Sequence, residues 1–106
     1  PGLEAHVGHD IAAKQMKDFG GMISFEVKGG RAAGAKLVNS LKLVTVAVSL
    51  GDAETLIEHP ASMTHSTYTE DELKASGIAA GLIRLSVGLE NYEDIIADLK
   101  QGLDSL

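Results

Sequence analysis

Leu82-Ile83-Arg84-Leu85-Ser86-Val87-Gly88 is the stretch that decides the fold class. Ile83, Leu85 and Val87 occupy alternate positions, with Leu89 continuing the series, while Arg84, Ser86 and Gly88 lie between them. A period of two indicates extended chain, because successive side chains of a strand point to opposite faces. Two further stretches repeat the pattern. In Met22-Ile23-Ser24-Phe25-Glu26-Val27-Lys28 the apolar set is Ile23, Phe25 and Val27. In Val44-Thr45-Val46-Ala47-Val48-Ser49-Leu50 it is Val44, Val46, Val48 and Leu50. The opposite faces carry small or polar groups: Ser24 and Glu26, then Thr45, Ala47 and Ser49. Three strands, each with one apolar face, predict a mostly antiparallel sheet covered on one side.

Working outward, the segments between the strands carry helical spacing. Ile11, Ala12, Met16 and Phe19 share one helical face, and Ala33, Leu37, Val38 and Leu41 share another. Tyr92, Ile95, Ile96, Leu99 and Leu103 recur at intervals of three and four. Asn91 is placed to cap that last helix, with Glu93 and Asp94 at its positive end. Asp52 has the position of a cap for a short helix at 53–58. Thr69 with Glu72 forms a capping-box pattern for another helix, ending before Gly77. The expected fold class is α/β, in the α+β sense: a sheet with helices on its apolar face, in one domain spanning 1–106.

Composition narrows the function classes. The 106 residues are 44% hydrophobic and 23% charged, an ordinary globular balance. Aromatic residues are only 4% and Trp is absent, so the core must come from Ile, Leu, Val, Ala and Met. A net charge of -6 with two arginines disfavours nucleic acid as a partner. No apolar run approaches the length of a membrane span. The absence of cysteine removes disulfides and thiolate metal sites and fits a cytoplasmic location. The chain begins at Pro1, which both a processed Met and a trimmed chain would explain.

Arg84 stands out among candidate functional residues. A guanidinium held mid-strand presents a rigid, permanently charged fork suited to a carboxylate. On the residues alone, a structural ion pair or a solvated face is the commoner explanation for such an arginine. Ser49, at a strand end before Gly51-Asp52, could bond a ligand or simply satisfy its own turn. The histidine pairs His59/His65 and His6/His9 match no zinc-ligand spacing with a third ligand nearby, and surface or loop positions are expected for them. Gly29-Gly30-Arg31-Ala32-Ala33-Gly34 lacks the features of a phosphate loop.

Three longer blocks add a resemblance: GGMISFEVKGG at 20–30, AVSLGDAETLIEHPASMTHS at 47–66 and GLIRLSVGLEN at 81–91. With them the whole chain resembles the cystathionine/methionine-metabolism enzymes that use pyridoxal phosphate. Gly51–Glu54 and His59–Thr64 look most like the methionine γ-lyase branch. O-acetylhomoserine sulfhydrylases and the cystathionine lyases and synthases are close.

The resemblance implies the small C-terminal domain of an aspartate-aminotransferase-like fold, with the cofactor-binding domain outside this chain. It implies that Arg84 binds a substrate α-carboxylate, that Ser49 lines the same pocket and that Thr64 lies near it. It implies pyridoxal 5'-phosphate held by an N-terminal domain, a sulfur-containing amino acid as substrate, that N-terminal domain as partner, and a homotetramer. No lysine here lies in the family's Schiff-base motif, so the chain alone is expected to be inactive. The contrasting expectation is a stand-alone amino-acid-binding regulatory module. The two differ over the far face of the sheet. A stand-alone module covers or solvates it, whereas an enzyme part leaves Arg84 unpaired within the chain.

Overall fold

A computed structural model describes all of residues 1–106. In chain order it contains α1 (His9–Gln15), β1 (Met22–Glu26), α2 (Gly30–Ser40), β2 (Thr45–Val46), β3 (Leu56–Glu58), a 3-10 helix (Pro60–Ser62), α3 (Glu70–Ala75), β4 (Leu82–Ser86) and α4 (Tyr92–Asp104). The strands form one sheet in the order β1-β4-β3-β2. β4 runs antiparallel to both β1 and β3, while β2 runs parallel to β3. The sheet is therefore mixed, with two of its three pairings antiparallel, in keeping with the expected mostly antiparallel sheet.

Side-chain alternation sorts the sheet into two faces. Ile57, Ile83 and Leu85 join Val27, Leu37, Val38, Val44 and Ile95 in a single apolar cluster, so α2 and α4 cover this side. Burying a Leu or Ile side chain contributes roughly 1.5–3 kcal/mol, which makes this cluster the main source of stability. α4 buries Ile95 on its inner face and is capped by Asn91, whose side chain accepts from Glu93 N at 2.9 Å. Thr69 and Glu72 form the expected reciprocal capping box at α3.

Four local expectations are overturned. The segment 53–58 is not a helix. Thr45 N and Ala47 N donate to the carbonyls of Thr55 and Ile57, and residues 56–58 insert as β3 between β2 and β4. Asp52 makes only a long 3.4 Å contact with Glu54 N. A segment this short takes its conformation from the strands beside it, which overrides local helix signals.

The strand expected over 44–50 ends at Val46. β2 is an edge strand paired only to the three residues of β3, so the ladder runs out, and Val46, Val48 and Leu50 are exposed rather than packed. α1 forms but stops at Gln15 and buries nothing, so Ile11, Met16 and Phe19 remain exposed.

The fourth correction concerns His59, which is fully buried rather than at a surface. Its ring lies so close to Gly34 of α2 that a Cβ added there would sit 2.3 Å from Nε2. Nε2 lies 2.8 Å from the Ala80 carbonyl oxygen, and Nδ1 lies 2.7 Å from Ser62 Oγ. A carbonyl only accepts, so Nε2 carries the proton, and in the neutral ring Nδ1 accepts from the Ser62 hydroxyl. The ring thereby ties α2, the 3-10 helix and the approach to β4 together.

Candidate carboxylate-binding site

Arg84 projects from the face of the sheet opposite the helices. The register sets it directly across from Ser24 on β1 and from Glu58 on β3. Its Nη1 lies 2.9 Å from Glu58 Oε2, and Nη2 donates to the carbonyls of Val48 at 2.8 Å and Ser49 at 3.1 Å. Nε makes no hydrogen bond within the chain. The Arg84 side chain keeps 27% of its exposure, whereas that of Glu58 is reduced to 2%.

The expectation that Arg84 is unpaired within the chain is therefore wrong. Its cause is the missed strand β3: a residue on a helix at 53–58 has no fixed place opposite Arg84, but a residue at the end of β3 does. Ser49 is brought to Arg84, through its backbone carbonyl rather than its hydroxyl. Thr64 is exposed, and its Oγ1 lies 2.9 Å from the neighbouring His65 Nδ1, with no bond to Arg84 or Ser49.

The segment that carries Val48 and Ser49 leaves the ladder after Ala47 and brings its carbonyls to the Arg84 side chain. Gly51 anchors it, donating its N–H to Ser86 Oγ at 2.8 Å from a φ of +76° that favours glycine. Further along, Glu90 receives both the Thr55 hydroxyl and the Thr55 N–H at 2.7 Å, and these bonds hold its carboxyl below the usual range. Gly88 allows this approach, since a Cβ there would meet Ala53 O at 2.4 Å. These bonds pin the strap over Arg84 after residue 50, and the Ala47 N–H on the Ile57 carbonyl pins it before residue 48.

The other arginine is structural. Arg31 donates to the Ala61 and Tyr68 carbonyls and pairs with Glu70, which fixes the loop bearing Thr64. The larger surface depression, about 530 Å³, lies between the N-terminal segment and β1. Leu3, His6, Phe19, Met22 and Ser24 line it, and Arg84, Ser49 and Thr64 do not. No three His, Asp or Glu side chains converge as a metal-binding group, and no helix is long and apolar enough to cross a membrane.

Sequence reasoning missed two acidic residues. Glu58 carried no signal, because an isolated glutamate before His-Pro resembles a surface residue. Asp98 is buried on α4 and accepts the backbone N–H groups of Lys42, Leu43 and Val44 at 2.9–3.1 Å, with Gln101 Nε2 at 3.1 Å. Burial opposes its ionisation, but the donors outweigh burial and hold the carboxyl below the usual range. Asp98 thus ties α4 to the start of the second strand segment, from which the strap over Arg84 continues.

Residues 1–104 match the family described as Cys/Met metabolism PLP-dependent enzyme. The chain belongs to that family. It is 71% identical over all 106 residues to an L-methionine γ-lyase of Fusobacterium nucleatum subsp. polymorphum, covering 27% of that protein. It is 66% identical, again over its whole length, to an L-methionine γ-lyase of Treponema denticola, covering 26% of it. A solved structure of cystathionine γ-synthase from Xanthomonas oryzae pv. oryzae, in complex with aminoacrylate and cysteine, superposes with a TM-score of 0.86 at 52% identity. That superposition covers 98% of this chain and 27% of the other. The chain thus spans about a quarter of the length of the curated relatives it matches.

The family implies pyridoxal phosphate, and no lysine of this chain is placed to hold it. All seven lysines are exposed. Lys36 bonds the Ser105 carbonyl and Lys100 pairs with Asp104, both on the outside of the fold. None sits in an enclosed cleft where an amine would be desolvated and activated for nucleophilic work.

Proposed function

We propose that this chain is the C-terminal, substrate-carboxylate-binding domain of a pyridoxal-phosphate-dependent methionine γ-lyase, which converts L-methionine to methanethiol, 2-oxobutanoate and ammonia. The supporting observation is Arg84: a guanidinium on a central strand, paired with Glu58 and two strap carbonyls but with Nε unbonded and the side chain still partly exposed. In this reading the α-carboxylate of the amino acid bonds Arg84 and displaces the Val48 and Ser49 carbonyls from Nη2. A carboxylate is a charged acceptor, and charge-assisted bonds are roughly twice as strong as those to neutral carbonyls. In the same reading the Ser49 hydroxyl, which makes no bond within the chain, and Thr64 are assigned to the substrate's surroundings.

The role of these residues is orientation. A substrate held at its carboxylate presents its reacting carbons in a fixed direction, and good positioning accounts for several kcal/mol of a barrier. The electron-withdrawing chemistry belongs to pyridoxal phosphate, held by the N-terminal domain that completes the enzyme. Cytoplasmic location and assembly into a homotetramer belong to the same reading. The branch assignment follows the two γ-lyases matched over the whole chain. The likeness to a cystathionine γ-synthase supports a second reading, the same domain in a synthase, cystathionine lyase or O-acetylhomoserine sulfhydrylase, with Arg84 unchanged in role.

The test is Arg84→Ala in the intact enzyme. The expected result is a large rise in KM for methionine with the cofactor absorbance unaltered. Unchanged turnover at low methionine contradicts the reading.

A further inference from the structure

Glu58 is the buried charge whose presence the fold does not explain. Its side chain is 2% exposed, Oε2 contacts Arg84 Nη1 at 2.9 Å, and Oε1 has no hydrogen-bond partner at all. Asp98 offers the contrast: it is also buried, but both of its oxygens receive several donors. An enclosed ion pair adds little to stability compared with a well-packed apolar pair, and an orphaned carboxylate oxygen adds nothing. What such a pair supplies is fixed geometry.

The acceptors around Arg84 are of two kinds. The Glu58 carboxylate comes from the sheet, in direct register with Arg84. The Val48 and Ser49 carbonyls come from the exposed strap beyond β2. A guanidinium binds a carboxylate in two parallel bonds along one edge. With Nη1 held by Glu58, the edge formed by Nε and Nη2 is the one a substrate reaches. Nε is already unbonded, and Nη2 is held only by neutral carbonyls.

We propose that Glu58 is a positioning residue for Arg84: by holding Nη1 it aims the Nε–Nη2 edge at the α-carboxylate of the substrate. This rests on the reading of Arg84 as the carboxylate anchor. Glu58 itself touches neither substrate nor cofactor. Its effect is therefore confined to ligands that carry a carboxylate.

The experiment uses the intact, cofactor-loaded protein and two probes with the same side chain. L-Norleucine has no γ leaving group, so it binds without elimination; n-pentylamine is the same molecule without its carboxylate. Dissociation constants are read by spectral titration for the unaltered protein, Glu58→Gln and Arg84→Gln. In Glu58→Gln, norleucine is expected to weaken about ten- to a hundredfold, the scale of a misplaced contact, with pentylamine unchanged. Arg84→Gln should weaken norleucine at least as much.

If Arg84→Gln weakens norleucine selectively and Glu58→Gln does not, the positioning role is overturned while the anchor stands. If Arg84→Gln leaves norleucine unchanged, the anchor fails and the positioning role fails with it. Equal weakening of both probes in Glu58→Gln shows a merely structural role and overturns the proposal. Glu58→Asp keeps the charge but draws it back by one methylene. It should show a selective, smaller loss, and it decides the matter where Glu58→Gln does not fold.

Discussion

Replacing Asp98 by Asn is expected to loosen the junction between α4 and the second strand segment. In the folded chain Oδ2 accepts from Lys42 N, Leu43 N and Val44 N, and Oδ1 accepts from Lys42 N and Gln101 Nε2. An asparagine oxygen in place of Oδ2 keeps the first three bonds but makes them neutral. The amide nitrogen then faces two donors, so the remaining bonds are lost. Bonds to a charged acceptor contribute about 1.5–3 kcal/mol against roughly 1 for neutral ones, and the neutral side chain recovers part of the difference through easier burial. The expected net loss is about 2 kcal/mol, or about a thirtyfold increase in local opening. Hydrogen exchange at the amides of Lys42, Leu43 and Val44 in the intact protein measures it directly.

The pH dependence has a definite sign. The Asp98 carboxyl is held below its usual value in the fold. Its contribution is therefore complete above the unfolded value of about 3.9 and is lost as pH falls through the folded value. The gap between the two proteins should be full at neutral pH and close in acid. Equal protection of these amides at neutral pH would refute the reasoning, as would a gap that persists below the folded-state titration.

Gly34→Ala gains about 1 kcal/mol of helix propensity but drives a methyl group into the His59 ring, which its bonds to Ser62 and Ala80 prevent from moving. Overpacking of about 1–3 kcal/mol or more should win, read as a lowered unfolding midpoint. Thr69→Ala removes the hydroxyl half of the capping box at α3, the acceptor for Glu72 N, while the Thr69 N–H stays on the Glu72 carboxylate; it should cost about 1 kcal/mol, seen as faster exchange confined to Glu70–Ala75. Ser49→Ala leaves the backbone carbonyl on Arg84 intact, so any rise in methionine KM reports the hydroxyl alone; about fivefold is expected for one hydrogen bond. A change larger than that of Arg84→Ala would move the anchor from Arg84 to Ser49.

The parts of the fold that were legible are those whose signal is local. β1 and β4 show period-two alternation, α2 and α4 show helical spacing, and Thr69 and Asn91 announce helix starts, although of the expected α4 stripe only Ile95 is buried while Tyr92, Ile96 and Leu103 are exposed. β3 was hidden because Leu56–Glu58 is too short to show a period, and it exists only through pairing with β2 and β4. That omission also hid the environment of the site. Arg84 was visible as an unusual mid-strand charge, but its partner lies on the strand the pattern did not reveal.

Two other features were illegible for a related reason. The burial of His59 depends on Gly34, on a helix far away in sequence, and the role of Asp98 depends on three backbone amides more than fifty residues earlier. The exposed Val46, Val48 and Leu50 show the converse. Alternation favours a strand there, but only as far as a neighbouring strand continues the ladder.

The most direct test of the account is a crystal structure of the intact protein with L-norleucine bound. The account predicts both carboxylate oxygens within about 3 Å of Arg84 Nε and Nη2, Glu58 still on Nη1, and the Val48 and Ser49 carbonyls released. A carboxylate bound elsewhere, with Arg84 still holding those two carbonyls, would contradict it.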